Sequence, residues 1–290
     1  MKIKRRGVKL RYLHWWLLGV LTLGSAIFIG WYWYEQHQRT IEIEQKTSQL
    51  VAEVDARIAE IERKRVEPVY VSLPGADTIE VIREDFTEPS SIWVLVNKKN
   101  SIPLDYVPGL ASPGVPIRSG ATSDERSVSK AIVKPLKNLF AAAEKDGHLL
   151  MIGSAYRSSA VQTALFNGYV ASAGLEQASK YSARPGHSEH QLGLAVDIST
   201  LSQQCYLSAC FINTPDGQWL ADNAHKYGFF IRYQKGKESI TGYNFEPWHY
   251  RYVGKDLATA LYQSGLTFEE AWPYLEAARQ TLIDNRAIAP

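Results

Sequence analysis

The stretch "PGHSEHQLGLAVDIST", residues 185–200, decides how this chain is read. It holds two histidines, a glutamate and an aspartate, and it runs into "LGLAVDI", an apolar, β-branched segment that reads as a buried strand. Asp197 has no place in such a strand unless something neutralises it. The spacing of His190 and Asp197 is odd, so on one continuous strand the two side chains would point to opposite faces. A turn at Gly193 lets them converge. Imidazole and carboxylate are both common zinc ligands. A satisfied polar cluster is the competing reading for these two residues alone.

A second stretch, "NFEPWHYRYVG" at 244–254, offers a further imidazole in His249, with Glu246 just before it. Pro247 disfavours helical backbone at Glu246, so the pair is expected on a loop entering a strand. It is not expected on the helix of an H-E-x-x-H site. Three protein ligands and one open position make the pattern of catalytic zinc, and a glutamate beside the open position can take a proton from an attacking water. A third stretch, "GSAYRSSAVQ" at 153–162, passes from an apolar strand into a helix and places Arg157 at the junction. An arginine there can hold an anion or a developing oxyanion, although a lone arginine at a strand end is more often a surface ion pair.

Taken together, Y-R-S-x-x-x-Q, S-x-H-x-x-G-x-A-x-D and E-P-W-H resemble the VanY-type D-alanyl-D-alanine carboxypeptidases. That family lies within a wider group of zinc peptidases that includes the VanX dipeptidases and the L,D-carboxypeptidases of cell-wall recycling. The resemblance covers roughly residues 92–265, and no metal or base position departs from the pattern. It implies that His190, Asp197 and His249 hold Zn2+, that Glu246 is the general base and later the acid, and that Arg157 polarises the scissile carbonyl. It also implies substrate-binding roles for Gln162 and Ser188. Tyr156 and Trp248 are expected to shape the pocket, with structural packing as the alternative for both. His187 reads as a rim residue, and Glu189 as a support for the loop or a lining of the cleft.

The implied activity is removal of the terminal D-alanine from peptidoglycan stem peptides ending in D-Ala-D-Ala. Two alternatives stand beside it: an L,D-carboxypeptidase acting on tetrapeptide stems, and a non-catalytic wall-binding module. Retention of Glu246 and every metal position weighs against the module.

The N-terminus fits such a substrate. Residues 1–12, "MKIKRRGVKLRY", are basic, and 13–34 contain no Asp, Glu, Lys or Arg. About 20 apolar residues cross a bilayer, and Trp15, Trp16, Trp31, Tyr32, Trp33 and Tyr34 sit near the ends of the span, where amphipathic rings favour the interface. The basic flank predicts a cytoplasmic N-terminus and a single-pass anchor. A cleaved signal peptide is the rival reading. The net charge of only +2 gives no general case for a nucleic-acid partner.

Residues 35–90 read as a helical stalk and linker. Ile43, Leu50, Val54, Ile58 and Ile61 mark a broken three-four spacing, compatible with a weak homodimer or with a solvated single helix. Residues 91–290 form the expected zinc carboxypeptidase domain. Strands are expected at "IWVLVN", "LLMIGSAY", "LGLAVDI", "FFIRY" and "WHYRYV". Helices are expected at about 127–146, with Pro135 either kinking it or marking a late start, at 158–173 ending at Gly174, and at 217–227 stopping at Gly228. Two more close the chain, the last with a Thr267/Glu270 capping box. The pattern without regular βαβ alternation predicts an α+β domain, its central sheet mostly antiparallel and flanked by helices. Cys205 and Cys210 can bridge if the domain is extracytoplasmic; two free thiols are the other reading.

Overall fold

The computed structural model describes residues 7–63, 68–81 and 86–288, with the side chains of 7–14, 59–63 and 286–288 outside the description. Part of the basic segment, residues 1–6, and the side chain of Ile61 therefore lie outside the described residues. The chain divides into two compact units, one built on a long N-terminal helix and one over Val66–Ile288.

The first unit is the helix α1 (Gly7–Arg63), which runs unbroken through the expected span and stalk. It is long and apolar enough to cross a membrane, and none of its apolar window is buried against protein. Its aromatic residues at 15–16 and 31–34 are exposed, as are Leu17, Leu21, Ile27 and Phe28. An apolar surface of this kind without a protein partner is suited to lipid. Further along, Ile43, Leu50, Val54 and Ile58 are also exposed. Lys46 pairs with Glu42 at 2.6 Å and Arg57 with Glu53 at 3.0 Å, one helical turn apart.

The second unit is α+β. Its sheet has four strands, β5 (Leu150–Ser154), β6 (Ala195–Thr200), β7 (Phe229–Ile231) and β8 (His249–Tyr252), in the antiparallel order β5-β6-β8-β7. Alternation along the strands divides the side chains between two faces. Val196, Ile198 and Tyr250 join a core with Leu136, Leu139 and Phe140 of α2 (Val133–Lys145). Asp197, His249 and Arg251 alternate with them and so lie on the opposite face. A second core gathers Phe230 and Val253 with α6 (Lys255–Ser264) and α7 (Phe268–Ile288).

Several expected elements hold. Pro135 falls in the first turn of α2, where backbone N–H groups lack helical acceptors anyway. α4 (Pro215–Asn223) is capped by the Thr214 hydroxyl and leads to a left-handed Gly228. The Thr267/Glu270 box forms in both directions, at 2.8 and 3.1 Å. The helix α3 (Ser159–Tyr181) differs: it kinks at Gly174 (φ 81, ψ 161) and then resumes to Tyr181.

Two segments depart further. The expected linker contains a hairpin, β1 (Val69–Ser72) with β2 (Thr78–Val81), in register Val69↔Val81. Its inward residues Val69, Val71, Ile79 and Val81 are buried in the second core, so the hairpin belongs to the compact unit. "IWVLVN" is not a strand, although Trp93 to Val96 are buried. The carbonyls of Ile92 and Val94 accept from the Arg251 guanidinium at 3.1 and 2.9 Å, and Trp93 Nε1 donates to Val253 O at 2.6 Å. The Arg251 side chain and local turns (Val94 N to Ser91 O at 3.3 Å, Asn97 N to Asn100 O at 3.0 Å), not a ladder, satisfy this backbone. β3 (Leu110–Ala111) and β4 (Val128–Ser129) add a short pair.

Gly193 has φ +64, and a Cβ there would lie 2.7 Å from the Ser129 nitrogen, which donates to Gly193 O at 2.9 Å. Gly193→Ala should lower the unfolding free energy by about 1–3 kcal/mol, read as a lower midpoint in a urea melt. An unchanged midpoint would show that the loop relaxes freely around the new methyl group.

Candidate active site

Asp197 in β6 and His249 in β8 are direct register partners, so their side chains share one face of the sheet. His190 reaches the same point from a 3-10 turn, Glu189–Leu192, ended by the left-handed Gly193. That turn resolves the odd spacing: the chain reverses between His190 and the strand carrying Asp197. All three side chains are buried.

The imidazoles are oriented from behind. His190 Nδ1 lies 2.6 Å from Ala155 O, which places its proton there and turns Nε2 toward Asp197 Oδ2 at 3.4 Å. His249 Nε2 lies 3.4 Å from Glu189 Oε2, leaving Nδ1 at 3.1 Å from Asp197 Oδ1. The candidate ligand atoms of the three residues all fall within 4.8 Å of one another. Two ligands about 2.0–2.1 Å from a tetrahedral zinc are roughly 3.4 Å apart, so the donor set fits that ion in both chemistry and spacing. Charge gives the same result. Burial disfavours the His249 cation, but Asp197 and Glu189 outweigh it and raise His249 to about 9.

Glu246 is set by its backbone: its N–H donates to Tyr233 O at 3.0 Å and its carbonyl accepts from His249 N at 3.1 Å. Its Oε2 stands 4.0 Å from His249 Nδ1. Burial raises the carboxyl to about 7 against the pull of His249.

Arg157 donates its backbone N–H to His190 O at 3.2 Å. Its guanidinium is clamped by Gln162 Oε1 and Ser154 Oγ, each at 2.9 Å. Gln162 in turn donates to Ala183 O at 2.7 Å. It is buried and does not line the cavity, so its visible contacts position the arginine, where the sequence pointed to substrate.

Arg157, Ser188, Trp248, Glu246 and the three candidate ligands line one cavity of about 330 Å3. Tyr156 is buried and is not among the residues that line it. Tyr233 and Tyr243, ring centroids 4.5 Å apart, supply much of the wall and were not singled out in the sequence. His187 Nδ1 is bonded to Asn97 O at 2.7 Å. Cys205 and Cys210 are joined in a disulfide.

Behind His249 lies a buried charge network that the sequence analysis missed. Glu189 Oε1 accepts from Arg232 Nε at 2.8 Å and Arg251 Nη1 at 2.9 Å. Arg232 also makes a two-point bond to Glu269, at 2.8 and 2.6 Å. Burial alone would raise the Glu189 carboxyl, but the two arginines hold it well below the usual carboxylate range. The signal was present: "FFIRY" and "WHYRYV" each put an arginine into a strand that reads as buried, and a buried arginine requires an acid.

Comparison with known proteins agrees with this geometry. The VanY family model, D-alanyl-D-alanine carboxypeptidase, matches residues 125–255. The putative carboxypeptidase YodJ of Bacillus subtilis (strain 168) is 44% identical over 188 residues, covering 64% of this chain and 69% of that protein. The solved structure of the LdcB LD-carboxypeptidase is 43% identical with a TM-score of 0.62, covering 64% of this chain and 87% of its own. A D,D-pentapeptidase VanY from a VanB-type vancomycin-resistance cassette, solved with Zn(II), is 34% identical with a TM-score of 0.53, covering 64% and 99%.

Glu189→Ala would leave Arg232 and Arg251 buried without their shared acid. The expected loss is about 3–5 kcal/mol of stability, measured by chemical denaturation; a loss below about 1 kcal/mol would mean that water replaces the carboxylate.

Proposed function

The chain belongs to the VanY D-alanyl-D-alanine carboxypeptidase family, and on that premise we propose that it removes the terminal D-alanine from peptidoglycan stem peptides. It is a zinc metallo-carboxypeptidase. In this reading His190, Asp197 and His249 hold the metal, Glu246 is the general base and Arg157 the oxyanion partner. The observation that carries the proposal is the convergence of those ligand atoms within 4.8 Å, in one cavity with a buried carboxyl and a clamped guanidinium.

Bound zinc supplies Lewis acidity and brings the pKa of water toward about 7. Glu246 accepts the proton of the attacking water. Burial, which raises its carboxyl to about 7, suits it to hold that proton and then deliver it to the leaving amine. Arg157 meets the charge developing on the carbonyl oxygen, and its bonds to Gln162 and Ser154 spare it reorganisation during the reaction. Ser188 and Trp248 contact the peptide from the cavity wall. No acyl-enzyme forms, so penicillin should not trap the enzyme.

The likeness to an LD-carboxypeptidase structure supports a second substrate, the tetrapeptide stem. For location, α1 serves as a single-pass anchor with a cytoplasmic N-terminus and places the catalytic unit outside the membrane beside its substrate. The Cys205–Cys210 bridge supports an oxidising compartment. The exposed stalk residues Ile43, Leu50 and Val54 support weak pairing of two copies.

The test is incubation of the zinc-loaded, detergent-solubilised protein with a D-Ala-D-Ala pentapeptide stem and, separately, a tetrapeptide stem, followed by mass spectrometry. One alanine should leave the pentapeptide, and a chelator should stop the loss. Glu246→Ala should keep its zinc and lose about 10²–10⁴ in kcat. Loss from the tetrapeptide alone would make the enzyme an L,D-carboxypeptidase, and loss from neither, with zinc bound, would remove the reading.

A further inference from the structure

The chemistry above makes no use of Cys205 and Cys210, yet their bridge closes a loop that reaches the cavity. In this loop Gln203, Cys205 and Leu207 all have left-handed backbone, with φ of 61, 55 and 44. Residues with a Cβ rarely adopt that conformation and keep it only where their surroundings impose it. Here the surroundings are explicit. The loop is a succession of tight turns, with Gln203 N donating to Thr200 O at 3.0 Å, Tyr206 N to Gln203 O at 3.2 Å and Ser208 N to Cys205 O at 3.2 Å. The disulfide ties Cys205 to Cys210 across a Cα separation of 5.5 Å. Tyr206 OH donates to Gly153 O at 3.3 Å.

The loop lands beside the reacting groups. A Cβ on Gly153 would lie 3.1 Å from Tyr206 Cε2 and 3.3 Å from Leu207 Cδ2, so the missing side chain makes room for both. The next residue, Ser154, holds the Arg157 guanidinium and is paired across the sheet with Asp197. Leu207 lines the same cavity as Arg157, Asp197 and Glu246. With Leu165 and Ala183 it is one of three aliphatic side chains in a wall made largely of charged, hydroxylated and aromatic groups, and the one carried by the disulfide-closed loop.

We propose that Leu207 is a specificity residue, limiting the terminal side chain of the peptide to about the size of alanine, and that the Cys205–Cys210 bridge holds it in place. The inference rests on the carboxypeptidase reading. A methyl group packs against the isobutyl wall, whereas a larger terminal residue competes for the volume that Leu207 occupies. Discrimination by an apolar wall is worth about 10–200-fold per methylene-sized difference.

The experiment uses the full chain in detergent, loaded with zinc, on two pentapeptide stems that differ only in ending in D-Ala or D-Leu. Wild type should favour the D-Ala stem. Leu207→Ala should shift the ratio of kcat/KM values toward D-Leu by about tenfold or more, mainly through KM. Leu207→Phe should shift it the other way. Cys205→Ser/Cys210→Ser should move the ratio in the direction of Leu207→Ala, with zinc content unchanged. An unmoved ratio in both Leu207 variants, with zinc bound and wild type active on the D-Ala stem, would overturn the assignment and leave Leu207 as packing. A shift in Leu207→Ala but none in the double serine variant would overturn the role of the bridge. Inactive wild type on both stems would instead remove the carboxypeptidase reading, and this inference with it.

Discussion

A carboxylate in the middle of a buried strand has to be neutralised, and the catalytic unit is arranged around doing so at Asp197. Burial alone would raise its pKa, yet His190 and His249 hold it below the ordinary aspartate range. Those partners come from separate sources: one through the antiparallel register of β6 with β8, the other through the turn at Gly193. The sheet order places Asp197 between Ser154 and His249, so a single residue looks toward the arginine clamp on one side and an imidazole on the other. Backbone hydrogen bonds thereby fix the spacing of the reacting groups, and a ladder is stiffer than any set of side-chain rotamers.

The two glutamates beside this centre show how environment assigns roles to one functional group. Glu189 and Glu246 are both buried and both approach His249. Glu189 faces two guanidinium groups, which keep it ionised and fixed, and it serves to orient the imidazole. Among the described residues no guanidinium lies within bonding distance of Glu246, and burial raises it to about 7. A carboxyl held ionised suits a support, whereas one poised near neutrality suits a proton carrier. The same arginines reach outward as well: Arg251 bonds the backbone of residues 92–94, and Arg232 grips Glu269 of α7. The charge network behind the candidate metal ligands is therefore also the joint between the sheet and the elements around it.

This explains what could be read in advance. The chemistry was legible because its residue types are costly anywhere else: an aspartate in "LAVDI" and a histidine beginning "HYRYV" require partners. The sheet strands and most helices followed from periodicity and caps. The segment at 92–97 misled because an apolar, β-branched run has the composition of a strand, while its carbonyls are taken by a distant arginine side chain that local pattern cannot reveal. The hairpin at 69–81 was read only as linker and edge structure because Pro74 and Gly75 interrupt it. Residues far along the chain, in α6 and α7 above all, join the core that buries its inner face. Gln162 belongs to the same class: its position on α3 was evident, but its partner, Arg157, was a matter of tertiary geometry.

The division between ladder and loop bears on how one scaffold accommodates different stem peptides. The candidate metal ligands lie on two adjacent strands and a buried turn, and Arg157, the proposed oxyanion partner, is clamped at the end of a third strand. Much of the remaining wall, including Ser188, Tyr243 and Leu207, comes from segments outside the sheet. Attack on an amide carbonyl asks the same of the central groups whatever stereocentre precedes the scissile bond, so those groups can stay fixed while selectivity changes. Selectivity is a difference between two binding energies at the wall, and the wall can change by single side chains without disturbing a register set by backbone hydrogen bonds. Likeness to both a D,D-pentapeptidase and an LD-carboxypeptidase is what such a construction permits.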